Sequence, residues 1–189
     1  MFKLNIIDET KPASHLNLEY LSKYGNGKIF IETGTYLGDT VKLAVDAGFE
    51  FIHTIEIDND LYNKATDMFK DNDNVKIWHG DSIDTLEKIV NDVVSDGPVT
   101  FWLDAHASGE MSGGKSGGSP VIDELKIILN SGRKDNTIFI DDKRLFGSEE
   151  WSFVKEEDAI QLLKEINPNY NIHYLDGHIP GDVICATVK

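Results

Sequence analysis

Five short segments contain the β-branched and aromatic residues that are typical of strands, and each has acidic residues at or near its end. The segments are KIFIET (28–33), FIHTIEID (51–58), VKIWHGD (75–81), VTFWLDAH (99–106) and NTIFIDD (136–142), and the acids are Glu32, Glu56, Asp58, Asp81, Asp104, Asp141 and Asp142. Turn preferences explain an acid after one or two strands, but not readily after all five. Since ligands of open parallel sheets bind outside the carboxyl ends of the strands, these acids predict a crevice that concentrates organic or metallic cations.

The first strand runs into a glycine turn, FIETGTYLGDT (30–40). Dinucleotide sites share this plan, but they favour three glycines facing an anionic pyrophosphate. Glu32, two residues before Gly34, opposes pyrophosphate and favours a cation such as S-adenosylmethionine (SAM), which carries an ammonium and a sulfonium. A simple tight turn is the alternative interpretation. The predicted cofactor contacts here are Glu32, Gly34, Thr35, Tyr36, Gly38 and Thr40, and Asp104, at the end of the fourth segment, is a further one.

The next two strand ends favour an adenosine ligand. Glu56, followed by Ile57, lies where a carboxylate can accept from both ribose hydroxyls, as NAD sites also do. Asp81 is placed to accept from an adenine amino group, with Ser82 beside the ring. Asp81 is equally suited to capping the following helix, and the two roles are compatible. These acids therefore do not choose between SAM and NAD.

The last two strand ends offer an all-oxygen metal site, formed by Asp104, Asp141 and Asp142. Such ligands suit Mg²⁺, Mn²⁺ or Ca²⁺ rather than zinc. A metal there would hold a substrate hydroxyl and lower its pKa; loop-capping aspartates are the alternative. His106 is a candidate general base, with Asp104 the other candidate for a catalytic role, although a lone histidine is more often structural. Lys143 and Arg144 are either substrate contacts or ion-pair partners.

The string GEMSGGKS (109–116) satisfies the phosphate-loop pattern G-x-x-x-x-G-K-[ST]. A phosphate loop requires a helix to begin at the Lys-Ser pair, but Gly117 and Gly118 follow instead. Ser119 as N-cap with Pro120 at the first helical position is the better helix start. We therefore interpret the glycines as a mobile lid over the acidic crevice.

Helical patterns at 39–47, 59–70, 82–95 and 120–130 separate the five strands, which predicts βαβ units and a mainly parallel sheet. A helix at about 155–166 precedes two further strands, 170–176 and 182–188. The short link between them predicts an antiparallel hairpin at the sheet edge. A helix around 15–24 is expected to cover a sheet face or cap the active site.

Composition limits the classes of partner. The formal net charge is −15 and no basic stripe appears, so nucleic acid is a poor partner. No apolar stretch approaches the roughly 20 residues of a membrane span, and residues 1–15 do not resemble a signal peptide. The single cysteine, Cys185, fits a reducing compartment. We expect a cytoplasmic protein acting on a small molecule or glycan; the sequence leaves open a homodimer or a domain of a larger protein.

The motifs FIETGTYLGDT, TIEID, WHGDS, FWLDAH and FIDD follow the order found in class I SAM-dependent methyltransferases, which this sequence resembles over about 28–189. The resemblance implies a Rossmann-like, doubly wound α/β domain at 28–189. From the residue pattern we expect an N-terminal helical cap segment at 1–27 before it. Its seven-stranded sheet would have the order 3-2-1-4-5-7-6 with the last strand antiparallel. The chain departs from the commonest motif at Tyr36, where a glycine is usual.

A narrower resemblance is to macrocin-type and glycan-cluster sugar O-methyltransferases, through FWLDAHASG and GGSPVIDEL. It implies a divalent metal on Asp104, Asp141 and Asp142, and methyl transfer from SAM to a sugar hydroxyl of a glycan or glycoside. The alternatives are a catechol or small-phenol O-methyltransferase, an NAD-dependent oxidoreductase and a non-catalytic SAM-binding module.

Overall fold

The computed structural model describes residues 15–92, 97–105 and 118–188. Its strands are β1 (Ile29–Thr33), β2 (Phe51–Glu56), β3 (Val75–His79), β4 (Val99–Leu103), β5 (Thr137–Ile140), β6 (Asn171–Leu175) and β7 (Val183–Thr187). Its helices are α1 (Leu18–Tyr24), α2 (Asp39–Asp46), α3 (Asn59–Met68), α4 (Ser82–Asp92), α5 (Val121–Asn130) and α6 (Glu156–Ile166). A 3₁₀ turn at Lys143–Leu145, which the sequence patterns did not predict, follows β5.

The strands form one sheet of order β3-β2-β1-β4-β5-β7-β6, which confirms the predicted fold. Strands β1 to β5 pair in parallel, and β7 pairs antiparallel with both β5 and β6. Because β1 has β2 on one side and β4 on the other, the winding of the chain reverses there. The carboxyl ends of β1 and β4 therefore flank the crevice where ligands of such sheets bind.

Both faces of the sheet are covered by helices. One apolar layer joins Ile31, Phe101 and Ile138 to α4, α5 and α6, and the other joins Phe30 and Trp102 to α1 and α2. Alternate residues of one strand thus enter opposite layers, which explains the nearly continuous apolar runs in the sequence. Cys185 is fully buried in the second layer.

The described part of the N-terminal segment packs against the sheet. Asn17 caps α1 by accepting a hydrogen bond from the Tyr20 amide, and Leu16 and Leu21 are buried in the same layer as α2. Residues 15–24 thus pack on one face of the sheet. No helix in the described residues has the length and apolar character needed to cross a membrane.

The helix after the glycine-rich segment begins slightly later than predicted. Pro120 is the N-cap of α5 rather than its first residue, and the Ser119 hydroxyl accepts from the Val121 amide at 3.4 Å. His106 and the string GEMSGGKS lie at 106–117, outside the described residues, so the predicted base and lid remain predictions.

Candidate functional site

The turn between β1 and α2 packs tightly on the end of β4. Gly34 has a φ of +85°, and a Cβ there would lie 2.7 Å from the carbonyl oxygen of Asp104. Gly34 and Thr35 both donate their amides to the carbonyl of Ile55, at 3.0 and 3.1 Å. Only glycine meets both the conformational and the steric demand at position 34. The turn therefore lies where β1, β2 and β4 end together.

Tyr36 occupies the position where the related motif usually has glycine, and its φ of +47° is the conformation that glycine favours. Its backbone amide donates to Oε2 of Glu56 at 2.8 Å. A charge-assisted hydrogen bond of this kind helps to hold a backbone conformation that is costly for tyrosine. The hydrogen bond to Glu56 thus stabilises at Tyr36 a backbone conformation that glycine would adopt without strain.

Glu56 ties the end of β2 to this turn. It is 6% exposed, and its other oxygen accepts from the Asp58 amide at 2.8 Å. Asp58 in turn caps α3 through the amides of Asp60 and Leu61. Each carboxylate oxygen can accept a second hydrogen bond, so Glu56 keeps the capacity to accept from a ligand. Ile57 beside it is 37% exposed.

Glu32 lies beneath the turn rather than at its surface. Its side chain is buried, and Oε2 accepts from the Thr54 hydroxyl at 2.5 Å. Thr54 and Thr35 share a further hydrogen bond of 2.6 Å, and Thr40 also hydrogen-bonds to Glu32. Burial raises the pKa of Glu32 well above its ordinary value. Glu32 is therefore connected to the turn by hydrogen bonds that run through the hydroxyls of Thr54, Thr35 and Thr40.

The end of β3 has the helix-capping contact that was one of two interpretations of Asp81. Oδ1 of Asp81 accepts from the Ile83 amide at 2.9 Å, and Ser82 is the buried first residue of α4. Nearby lies Glu124 of α5, which the sequence analysis did not select. Glu124 is 1% exposed, and its Oε1 has no hydrogen-bond partner within the described residues. Desolvation raises the pKa of Glu124 to about 8, despite hydrogen bonds from Ser82 and Thr33.

Asp104 is half-buried immediately after β4. Its amide donates to the carbonyl of Thr33 at 3.1 Å, which continues the β1–β4 ladder. Its Oδ2 accepts from the indole nitrogen of Trp102 at 3.3 Å. Asp104 therefore faces the crevice from the strand next to the glycine turn.

Asp141 and Asp142 follow β5, and both are buried. His15 of the N-terminal segment lies against them, with Nδ1 at 2.9 and 3.1 Å from the two oxygens of Asp141. The same nitrogen is 3.8 Å from Oδ1 of Asp142. The hydrogen bond to Asp141 is the largest cause raising the pKa of His15; burial opposes it, and the charges of Asp141, Asp142 and Asp104 add to it. His15 thus lies against Asp141 and Asp142, two of the three predicted metal ligands.

Of the two roles that the sequence left open for Arg144, substrate contact or ion-pair partner, the structure shows the ion pair. Its guanidinium contacts both Asp142 and Asp182, and its backbone amide donates to Asp182 at 2.9 Å. Lys143 instead pairs with Glu156 at 3.4 Å. Asp182 is a buried acid that precedes β7, and it holds Arg144 against the acid pair.

The possible metal-ligand group in the described residues differs from the predicted one. Ligand atoms of His15, Asp141, Asp142 and Asp182 all lie within 4.8 Å of one another, and Asp104 is not in this group. Two ligands of one ion lie at most about 4.6 Å apart for bonds of about 2.3 Å, so the spacing of these donors is close to that of the ligands of one cation. In this structure Arg144 already pairs with Asp142 and Asp182. The sequence analysis missed His15 and Asp182. A contact between residues 126 positions apart leaves no local pattern.

Known structures share this arrangement of strands and helices. An O-methyltransferase from Bacillus cereus in complex with S-adenosylhomocysteine (SAH) matches with a TM-score of 0.62 and 16% identity, over 91% of this chain and 78% of that one. The SAH-bound methyltransferase PaMTH1 of Podospora anserina matches with a TM-score of 0.56 and 16% identity, over 86% and 72% of the two chains. The chain has the fold of class I SAM-dependent methyltransferases. An N-methyltransferase, NodS of Bradyrhizobium japonicum WM9, shares the fold with a TM-score of 0.52 and 12% identity, over 88% and 86% of the two chains, so the fold alone does not choose the acceptor atom.

Sequence comparison adds one short match. Ribosomal RNA small subunit methyltransferase A of Prochlorococcus marinus (strain MIT 9215) is 31% identical over 72 residues. The match covers 36% of this chain and 26% of that protein, so the chain spans about a quarter of the relative's length. No family model matches the sequence.

Proposed function

We propose that this protein is a SAM-dependent O-methyltransferase that acts on a sugar hydroxyl of a glycan or glycoside, assisted by a divalent metal. The observation that carries the proposal is the junction of Glu56 with the Gly34–Gly38 turn, at the reversal point of a sheet with the order 3-2-1-4-5-7-6. The buried carboxylate suits a ribose, and the amides of Gly34, Thr35 and Tyr36, which a pyrophosphate would need, already donate to Ile55 and Glu56.

On the cofactor side, each residue has a separate task. Glu56 accepts from the ribose hydroxyls, and Asp81 with Ser82 lies at the adenine. The glycines of the turn leave room for the methionine end, while Glu32 supports the turn through Thr35, Thr40 and Thr54. SAM supplies a methyl group on a positively charged sulfur. The surrounding acids favour that charge, and a fixed orientation of the two reactants supplies much of the rate.

On the acceptor side, the acid pair after β5 lies next to the end of β4. Asp141, Asp142 and Asp182 are the residues that would hold a divalent ion, with His15 hydrogen-bonded to Asp141 beside them, and such an ion would lower the pKa of the acceptor hydroxyl. Carboxylate oxygens suit Mg²⁺, Mn²⁺ or Ca²⁺. Asp104 faces the same crevice, and we assign to it, or to His106, the removal of the hydroxyl proton.

The sugar acceptor is supported by the resemblance of the β4–α5 sequence to sugar O-methyltransferases and by the acidity of the chain. The formal net charge of −15 opposes binding to RNA, although the short sequence relative is an RNA methyltransferase. A diphenol is the nearer rival, because acids beside a metal would serve it equally well.

The test is a methyl-transfer assay with labelled SAM and Mn²⁺ against three acceptor classes: methyl glycosides and oligosaccharides, diphenols, and ribosomal RNA. We expect label on the glycoside class, and loss of that label in Asp142→Asn. Phe51→Ala, an exposed residue at the amino end of β2, serves as the control. Label only on diphenols or only on RNA would overturn the sugar assignment. If Asp142→Asn keeps full activity after the metal is removed, the proposal that a metal assists the transfer is wrong.

A further inference from the structure

His15 reaches the acid pair from a part of the chain that lies before the first strand. Its ring contacts both oxygens of Asp141 at 2.9 and 3.1 Å, although 126 positions separate the residues. The His15 side chain is 21% exposed and that of Asp141 is 3% exposed. The histidine therefore lies between a buried carboxylate and the open side of the crevice.

The position of His15 is supported on two sides. The next residue, Leu16, is 3% exposed in the apolar layer beneath α1, which anchors the backbone. On the other side, the ring centroid of His178 lies 5.7 Å from that of His15. A Cβ at Gly177 would lie 3.3 Å from the Cβ of His15 and 3.1 Å from that of Asp182. The segment before β7 thus leaves just enough room for the histidine.

The contact constrains more than one carboxylate. Oδ1 of Asp141 also accepts from the Asp142 amide at 2.8 Å, and Asp142 has a left-handed φ of +56°. The Arg144 guanidinium contacts Oδ1 of Asp142, the same oxygen that lies 3.8 Å from Nδ1 of His15. His15 and the Asp142 amide therefore orient Asp141 together, and His15 is the side chain that contacts both of its oxygens.

We infer that His15 is a positioning residue of the acceptor site, so that the N-terminal segment forms a wall of that site as well as covering the sheet. This inference rests on the proposed function for the identity of the reaction. It requires only that Nδ1 of His15 donates to Asp141. Asparagine at position 15 can place an amide N–H where Nδ1 lies, whereas alanine cannot.

The test compares wild type with His15→Ala, His15→Asn and Leu18→Ala, the last an exposed residue of α1 that is 45% accessible. With the acceptor found in the methyl-transfer assay, His15→Ala should lower kcat about tenfold to a hundredfold, the usual effect of removing such a partner. The KM for SAM should stay within about twofold, because the cofactor side is untouched. His15→Asn should recover most of the loss, and Leu18→Ala should match wild type.

Equal losses in His15→Ala and His15→Asn, or full kcat in His15→Ala, would overturn the inference. A purely structural role would raise the KM for SAM together with the loss of kcat, and this result too would overturn the inference.

Crystal structures of the two His15 variants test the role of His15 without any acceptor. Asp141 should turn away in His15→Ala and keep its place in His15→Asn; an unmoved Asp141 in both overturns the inference. If wild type transfers no methyl group to any acceptor, the proposed function fails, and the crystal structures still test His15.

Discussion

At the scale of single residues, Glu56 is the side chain whose environment most clearly indicates a ligand. Its two oxygens accept from the amides of Tyr36 and Asp58, at 2.8 Å each. Glu56→Ala should weaken SAH binding about tenfold or more, since a hydrogen bond to a charged group contributes about 1.5–3 kcal/mol. Isothermal titration calorimetry measures the change. Glu50→Ala, which removes a surface partner of Lys28, should bind like wild type; equal affinity of the two variants would contradict the assignment.

Glu124 gives a prediction about pH. Its pKa in the folded protein is raised to about 8, so the native state keeps a proton that the unfolded chain releases near its ordinary value of 4.5. The stability that this group contributes is present below pH 4.5 and is lost as the pH rises towards 8. Glu124→Gln removes this dependence. Its free energy of unfolding relative to wild type should therefore increase by up to about 1.4 kcal/mol per pH unit across that window.

Urea unfolding at several pH values between 5 and 8 tests this directly. Glu87→Gln, an exposed substitution on α4, is the matched control for loss of one carboxyl group. A constant difference between Glu124→Gln and wild type across the window would show that Glu124 is not protonated in the native state.

At the scale of elements, the glycine turn after β1 offers a matched pair. Gly34 and Gly48 have nearly the same φ, +85° and +83°, but a Cβ at Gly48 meets nothing within 4 Å. Gly48→Ala should cost about 1 kcal/mol of stability from the backbone conformation alone. Gly34→Ala should cost roughly 2–4 kcal/mol, because its Cβ also collides with the backbone of Asp104. Chemical denaturation gives both values, and equal costs would mean that the turn does not pack on β4 as described.

The elements themselves were largely predictable from the sequence. The runs around Ile31 and Ile138 are apolar at nearly every position, so burial on both faces and parallel pairing followed from pattern alone. The strand order came from the resemblance, because local patterns do not tell which strands are neighbours. The ends of elements were less predictable: Pro120 proved to be the N-cap of α5.

From the sequence, only those candidate site residues could be selected that lie at or directly after the end of a strand. Glu56 and Asp81 were found because a strand end is visible in the sequence. His15, Glu124 and Asp182 were missed, since each enters the site through packing between distant segments. Such contacts depend on how helices and loops pack, which no local pattern records.

At the scale of the whole molecule, the charge of −15 should make stability depend on salt. Between about 0.01 and 0.1 M NaCl the Debye length falls from about 30 to 10 Å. The mutual repulsion of the surface acids should fall with it. We expect the midpoint of thermal unfolding to rise over this range, while a neutral solute of equal osmolarity should have little effect. A midpoint independent of salt would show that the acids are locally neutralised.

The central claim is that the crevice at the ends of β1, β2 and β4 binds SAM rather than a dinucleotide. Calorimetric titration of the protein with SAH, and in parallel with NAD⁺, tests it most directly. The structure predicts saturable, one-to-one binding of SAH that Glu56→Ala weakens, and no measurable binding of NAD⁺. Binding of NAD⁺ without binding of SAH would contradict the claim.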